Sequence, residues 1–234
     1  MRAECGVCLG SLVPALFKAR LSRFLAEVDL AGVGHLVHIP NTGRLDYALI
    51  PGARVWLRGV RRTGRTQYDV VLAECGESRV VVDSSLQNRL VAAAVRCRLI
   101  DELAGYTLCD EEVSVHGSRL DFMLCSEEQK YFLEVKGCTL AERGYALYPD
   151  APTLRGRKHL ATLVKLVEEG FKSGVLFVAL RNDVAVFKAN TKIDPEFSHE
   201  LSQAHDSGVE VMAYKIAVGV DVVNLESPIP VELD

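Results

Sequence analysis

Long apolar runs are missing from the 234 residues: none approaches the roughly 20 needed to cross a bilayer, so no helical membrane span is expected. Charge of one sign is missing too. Lys and Arg number 27 against 31 Asp and Glu, a formal net charge of −4. A wholesale polyelectrolyte binder is thereby excluded, and contact with nucleic acid has to come from local basic patches. Internal repeats and low-complexity segments are absent, and Trp56 is the one tryptophan. Cysteines number seven, scattered and odd in count, which predicts reduced thiols in a cytosol over a disulfide framework. The opening Met1-Arg2-Ala3-Glu4-Cys5 puts an acid where a signal peptide needs a basic and then an apolar run. A cytoplasmic protein is the expectation.

What is present is an ordinary globular composition, 49% hydrophobic and 25% charged, with ample material for a core. Residues 1–83 read as all-β. Short strand patterns at 13–19, 22–28, 34–39, 54–58, 66–72 and 79–83 are punctuated by Gly and Pro. Strands at such spacing predict a small OB-like barrel. Arg54, Arg58, Arg61, Arg62 and Arg65 crowd one strand and the turn after it, beside Trp56. That combination suits phosphate contact with base stacking, or, as readily, a solvated hairpin end over a buried Trp56. Cys5-Gly6-Val7-Cys8 has half a zinc site's spacing with no partner pair nearby, and reads as a frayed terminus. His35 and His38 fall on opposite faces of their strand, and Pro40-Asn41-Thr42-Gly43 is a turn.

At Ser84 the period changes. Leu86, Leu90, Ala93, Ala94, Cys97, Ile100 and Leu103 approximate a helical stripe capped by Ser84 or Ser85, which places a domain boundary near residue 83 and a second domain over 84–234. A strand over 107–116 follows. Then come two alternating segments, Gly117-Ser118-Arg119-Leu120-Asp121-Phe122-Met123-Leu124 and Tyr131-Phe132-Leu133-Glu134-Val135-Lys136-Gly137, joined by Ser126-Glu127-Glu128-Gln129. They predict a hairpin in which Cys125 pairs with Lys130, Asp121 lies opposite Glu134, and Arg119 lies opposite Lys136. Leu120, Phe122 and Leu124 would then share a core face with Tyr131, Leu133 and Val135. Arg119, Asp121, Met123, Phe132, Glu134 and Lys136 would share the other.

Facing carboxylates repel. A divalent cation between them removes the conflict, because Mg²⁺ takes oxygen ligands and is often held by one or two carboxylates plus phosphate and water. Lys136 alongside would orient or deprotonate a water, or neutralise a phosphate. An Asp followed by Glu-x-Lys on the next strand is the arrangement of the PD-(D/E)XK nucleases, which hydrolyse phosphodiesters. The competing reading is a pair of acids on a solvated sheet face.

Further on, Thr139-Leu140 reads as a loop, and two prolines lead into a helix from about Leu154 to Glu169. Arg155, Arg157, Lys158 and His159 sit in its first turns, an unfavourable place for cations unless an anionic partner is bound there. Gly174 to Leu180 is a continuous apolar run, the mark of a strand covered on both faces. Asp194-Pro195 starts another helix with Phe197, Leu201 and Ala204 on one face, ended by Gly208. Alternation at 209–214 marks a strand, so a helix-turn-helix is excluded there, and Val218 to Leu233 forms a last strand and tail.

These stretches together resemble the sugar fermentation stimulation protein A (SfsA) family. The resemblance rests on His38-Ile39-Pro40-Asn41-Thr42-Gly43, Asn88-Arg89-Leu90, Asp101-Glu102-Leu103-Ala104-Gly105-Tyr106, Ser118-Arg119-Leu120-Asp121-Phe122 and Glu134-Val135-Lys136. It continues through Tyr148-Pro149-Asp150-Ala151, Lys158-His159-Leu160, Gly208-Val209-Glu210 and Ala213-Tyr214-Lys215, nearly the whole chain. It implies a mixed α/β protein: an N-terminal OB-like barrel, then a PD-(D/E)XK restriction-endonuclease-like domain with a mixed central sheet. It also implies DNA binding and a link to regulation of sugar, notably maltose, metabolism. Asp121, Glu134 and Lys136 match the catalytic residues. Asp121 and Glu134, with the Val135 carbonyl, are the expected donors to Mg²⁺ or Mn²⁺. Arg54, Arg58, Arg61, Arg62, Arg119, Arg155 and Lys158 are the expected DNA contacts. Family members often carry a Glu in the helix where this chain has Ala93, and Glu102 or Glu112 is the candidate substitute. A non-catalytic DNA-binding regulator is the alternative function. Whether the chain acts alone or as a homodimer is not written in these residues.

Overall fold

The structure is a computed structural model that describes residues 5–219 and 221–233. Its first strand, β1 (Val7–Cys8), is followed by β2 (Leu12–Ser22), β3 (Leu25–Leu30), β4 (Val33–His38), β5 (Arg54–Gly59), β6 (Tyr68–Cys75) and β7 (Ser78–Val81). Strands β2 to β7 form one sheet in the order β4-β3-β2-β5-β6-β7, and a β4–β6 pairing at His38 and Asp69 closes five of them into the OB barrel. Inward alternation drives the closure: Ala15, Phe17, Ala26, Val28, Val37, Val55, Leu57 and Val70 are buried in one core. The seam is fastened by His38 Nδ1, 2.9 Å from Asp69 Oδ1.

Helix α1 (Ser85–Arg96) follows, then a short 3₁₀ turn at Asp101–Leu103, β8 (Thr107–Val115), β9 (Ser118–Cys125) and β10 (Lys130–Cys138). Next come β11 (Leu140–Glu142), β12 (Tyr145–Tyr148), α2 (Leu154–Glu168), β13 (Lys172–Ala179) and β14 (Val186–Ala189). The chain finishes with α3 (Pro195–Asp206), β15 (Glu210–Val218), β16 (Val222–Pro228) and β17 (Val231–Glu232). The main sheet has the order β1-β16-β15-β13-β10-β9-β8, with β10, β13 and β15 parallel and the rest antiparallel. Parallel neighbours need long crossovers, and α2 and α3 supply them. The apolar run ending at Ala179 is β13, buried on both faces at the sheet's centre. Helix α1 covers one face together with barrel residues Val71, Leu72 and Val81, while α2 and α3 cover the other.

Several local expectations are corrected. The segment 5–8 is no frayed end: β1 pairs with β16 and so lies outside the barrel, and Cys5 is disulfide-bonded to Cys97. A second disulfide joins Cys109 to Cys125. The expectation of seven reduced thiols therefore fails, and with it the redox reason for a cytosolic setting. Sequence spacing hides such bridges because folding, not proximity along the chain, sets Cα separations of 5.8 and 6.0 Å. Ser84 is the N-cap residue of α1 but makes no side-chain capping bond; Asp83 Oδ1 accepts from the Ser85 N–H at 3.1 Å instead. The stretch read as a loop at 139–140 opens a hairpin, β11–β12, in a small sheet with β14 and β17. Among the described residues no helix is long and apolar enough to cross a membrane.

Candidate active site

The expected register holds from Lys130↔Cys125 to Leu133↔Phe122 and stops there. One step further the two strands part, so Asp121 and Glu134 are not a ladder pair. Asp121 fills the gap: its Oδ2 accepts from the Val135 N–H at 2.7 Å, where a β9 backbone carbonyl would otherwise sit. Its Oδ1 accepts from Asn88 Nδ2 on α1 at 2.8 Å. Glu134 leaves toward the opposite layer, where Oε1 meets both His159 Nδ1 of α2 and Lys136 Nζ. The single shared face is thereby corrected: Asp121 is held from the α1 side and Glu134 from the α2 side. Leu120 changes sides for the same reason, packing with Phe132 and α2 while Phe122 packs with α1. Arg119 likewise does not face Lys136; it pairs with Ser114 on β8 and reaches Glu112 at 3.4 Å.

Both acids nevertheless line one cavity of about 600 Å³ between the two domains, together with Lys136, Arg155 and barrel residues Arg23 and Asn41 to Arg44. Burial, reinforced by the Glu134 charge, raises the pKa of Asp121 above the usual aspartate range. Burial also pushes Glu134 upward, but the His159 hydrogen bond and the Lys136 charge outweigh it, and its pKa is lowered. His159, 3% exposed, accepts from Arg155 Nε at Nε2 (3.4 Å), which leaves Nδ1 to carry the proton donated to Glu134. The sequence reads His159 either with the cations of the first turns or as packed at an edge of the helix, and the structure has it packed. The signal that it differs is its place on the buried stripe of α2, one residue before Leu160.

The donor set fits a hard divalent cation. Glu134 is 3% exposed, and its Oε2 is buried without a hydrogen-bond partner, as is Asn88 Oδ1. A buried carboxylate oxygen left bare costs several kcal/mol unless a cation or water meets it. The Val135 N–H is turned toward the gap, and in a strand a residue's N–H and C=O face the same neighbour, so its carbonyl is turned there as well. Oxygen donors with open positions suit Mg²⁺ or Mn²⁺. Among the described residues no group of three His, Cys, Asp or Glu is arranged to hold a metal. Neither substitute carboxylate lines the cavity: Glu102 accepts from Tyr214 Oη at 2.7 Å and Glu112 meets Arg119 on the surface.

The proposed DNA contacts scatter. Arg155 lines the cavity, whereas Lys158 is not among its lining residues and donates from Nζ to the Gly117 carbonyl at 2.6 Å. Arg54 and Arg61 are exposed on the barrel, but Arg58 bonds Asp83 at 2.7 Å and Arg62 bonds Asp69. Trp56 packs against the α1 core beneath the Arg79 guanidinium, 4.6 Å from its ring centre. Its packing into that core removes it as a free stacking surface.

Residues 85–221 match the family model described as the sugar fermentation stimulation protein RE domain, and residues 19–82 match the SfsA N-terminal OB domain. A sugar fermentation stimulation protein homolog of Caldanaerobacter subterraneus subsp. tengcongensis is 39% identical over 223 residues, 95% of this chain and 97% of that one. Another, of Methanothermobacter thermautotrophicus, is 38% identical over 203 residues, 86% of this chain and 85% of that one. Among solved structures, Pyrococcus furiosus SfsA in complex with Ca²⁺ superposes with a TM-score of 0.90 at 29% identity, covering 97% of this chain and 98% of that one.

Proposed function

The chain belongs to the sugar fermentation stimulation protein A family, and from that premise we propose that it is a divalent-metal-dependent phosphodiesterase acting on DNA, in the setting of sugar metabolism. The observation that carries this reading is the bare Glu134 Oε2 in a cavity it shares with Asp121 and Lys136. Asp121, Glu134 and the Val135 carbonyl are the groups that would hold Mg²⁺ or Mn²⁺. When bound, the ion polarises a phosphoryl oxygen and lowers the pKa of a coordinated water. Lys136, pinned by Glu134 Oε1, orients that water or neutralises the phosphate. Arg155 on the cavity wall and Lys158, three residues further along α2, hold flanking phosphates. The Ca²⁺ bound to the Pyrococcus relative supports the assignment, because Ca²⁺ also takes oxygen donors.

The test is cleavage of DNA with Mg²⁺ by Asp121→Ala and Lys136→Ala. Each variant loses cleavage while retaining most DNA affinity in an anisotropy titration; full cleavage by either one rules out the assignment. A second reading, a DNA-binding regulator without turnover, is favoured by Ala93 and Asn88 on α1, which leave the site without a third acid. Under it the unmodified protein binds DNA equally with and without Mg²⁺ and cleaves none.

A further inference from the structure

On the barrel side, the turn between β2 and β3 carries Arg23 to the wall of the same cavity, with Phe24 next in the chain. Phe24 lies directly beneath, with the Arg23 guanidinium 5.6 Å from its ring centre and the His38 ring 6.2 Å away. Phe24 is nonetheless 44% exposed, a large aromatic left open to water beside an arginine of the cavity wall. Nothing in the barrel core requires it, since that core closes over Phe17, Val28 and Val37 without it.

The position of this turn is fixed by a chain of bonds. The half-buried Arg20 guanidinium donates to the carbonyls of Ser22 (3.3 Å), Arg23 (2.7 Å), Gly43 (3.0 Å) and Arg44, tying the turn to the 40–44 loop. That loop is fastened across the domain boundary in turn. Asn41 Nδ2 donates to the Val82 carbonyl at 2.8 Å, Ser84 Oγ to the Pro40 carbonyl at 2.8 Å, and the Arg44 N–H to Asp150 Oδ2 at 3.2 Å. At Gly43 a Cβ would lie 2.7 Å from Asp150 Oδ2, so a larger residue there would have to displace that carboxylate. An exposed aromatic held this firmly is pre-organised for a ligand.

We infer that Arg23 and Phe24 form a base-stacking platform beside the cavity, so that the site engages DNA through an unpaired segment; this rests on the phosphodiesterase reading for its DNA substrate. A π-face beside a guanidinium takes any base by stacking and cation–π contact. Within a duplex, base faces are occupied by their neighbours, and only an unpaired base can offer one. The size agrees, because about 600 Å³ is the volume of a pocket that takes a single small ligand. So does the charge: Arg23, Arg44 and Arg155 are exposed on the cavity wall, whereas Arg58 and Arg62, which a duplex groove would use, are neutralised by Asp83 and Asp69.

The experiment measures binding without turnover. A short single-stranded oligonucleotide carrying 2-aminopurine, and its duplex, are titrated in EDTA with the unmodified protein, Phe24→Ala, Phe24→Trp and Val33→Ala. Val33 is an exposed apolar residue at the start of β4, opposite the far end of β3, and controls for loss of surface. Phe24→Ala should weaken single-strand binding roughly 5- to 150-fold, the range for one lost base–aromatic stack, and relieve the aminopurine quenching. Phe24→Trp restores both; duplex affinity and Val33→Ala change less than about twofold. Equal losses on both DNAs, or no loss on either, overturn the inference. Phe24-dependent single-strand binding by a protein that never cleaves DNA keeps this platform and discards the hydrolytic reading alone.

Discussion

His159 Nδ1 and Lys136 Nζ converge on one oxygen of Glu134, Oε1, and so leave the other oxygen free. A buried imidazole on α2 thus helps to hold one oxygen of a carboxylate on β10 and leaves the other without a partner. His159→Ala should lower the affinity for Mn²⁺ or Ca²⁺ by roughly 10- to 100-fold, the usual cost of losing a residue that orients a ligand. His159→Asn, whose amide nitrogen can replace Nδ1, should recover most of it. Isothermal titration reads both without any need for turnover, and unchanged affinity in the alanine variant refutes the orienting role.

Asp121 gives a prediction of opposite sign for stability and for metal binding. Its raised pKa means that protonation stabilises the metal-free fold. That contribution is complete below the ordinary aspartate range and is lost as pH rises through the raised value. Asp121→Asn should therefore leave the metal-free protein as stable or more so at neutral pH and flatten this part of the Tm–pH curve. The rise in Tm on adding Ca²⁺ should vanish in the same variant. A drop of several degrees without metal would contradict the assignment.

The two disulfides set a count. Four of the seven cysteines are bridged, leaving Cys8, Cys75 and Cys138. A thiol reagent should find three groups in the denatured, unreduced protein and seven after reduction. Closing a separation of 92 residues, the Cys5–Cys97 bridge contributes roughly 4 to 5 kcal/mol on a chain-entropy basis, so reduction should lower Tm clearly. Seven reactive thiols before reduction would refute both bridges.

Gly43→Val tests the fastening of the barrel to the second domain. Its side chain would strike Asp150 and break the contact to the Arg44 N–H, a bond to a charged group worth roughly 1.5–3 kcal/mol. Single-strand affinity should fall while Ca²⁺ affinity, set by Asp121 and Glu134, stays within about twofold. Equal loss of both would show that the loop supports the metal ligands as well.

The barrel was legible because each strand has one wet face and one dry face, so alternation from 13 to 83 could be read directly. Strand β13 was legible from its unbroken apolar run, and α3 from its Asp194-Pro195 start. The hairpin register was legible as well, but the place where its strands part was not. No local pattern marks it, because the divergence is produced by α1 and α2 pulling Asp121 and Glu134 in different directions. The bridges escaped for a related reason: their cysteines become neighbours only after β8, β9 and α1 are in place. The arginine patch misled because the acids that neutralise it, Asp69 and Asp83, lie elsewhere in the chain.

Strand β1 has one more consequence. It hydrogen-bonds β16 at the edge of the main sheet, and the Leu9 N–H continues the contact to the Asp221 carbonyl at 2.8 Å. The barrel is therefore an insertion between the first and the next strand of the larger domain, not a unit that precedes it. A fragment begun at residue 84 would discard an edge strand and the Cys5–Cys97 bridge along with the barrel. Excision of the barrel with retention of residues 5–9 keeps that edge strand and bridge, while uncovering the core that Val71, Leu72 and Val81 share with α1.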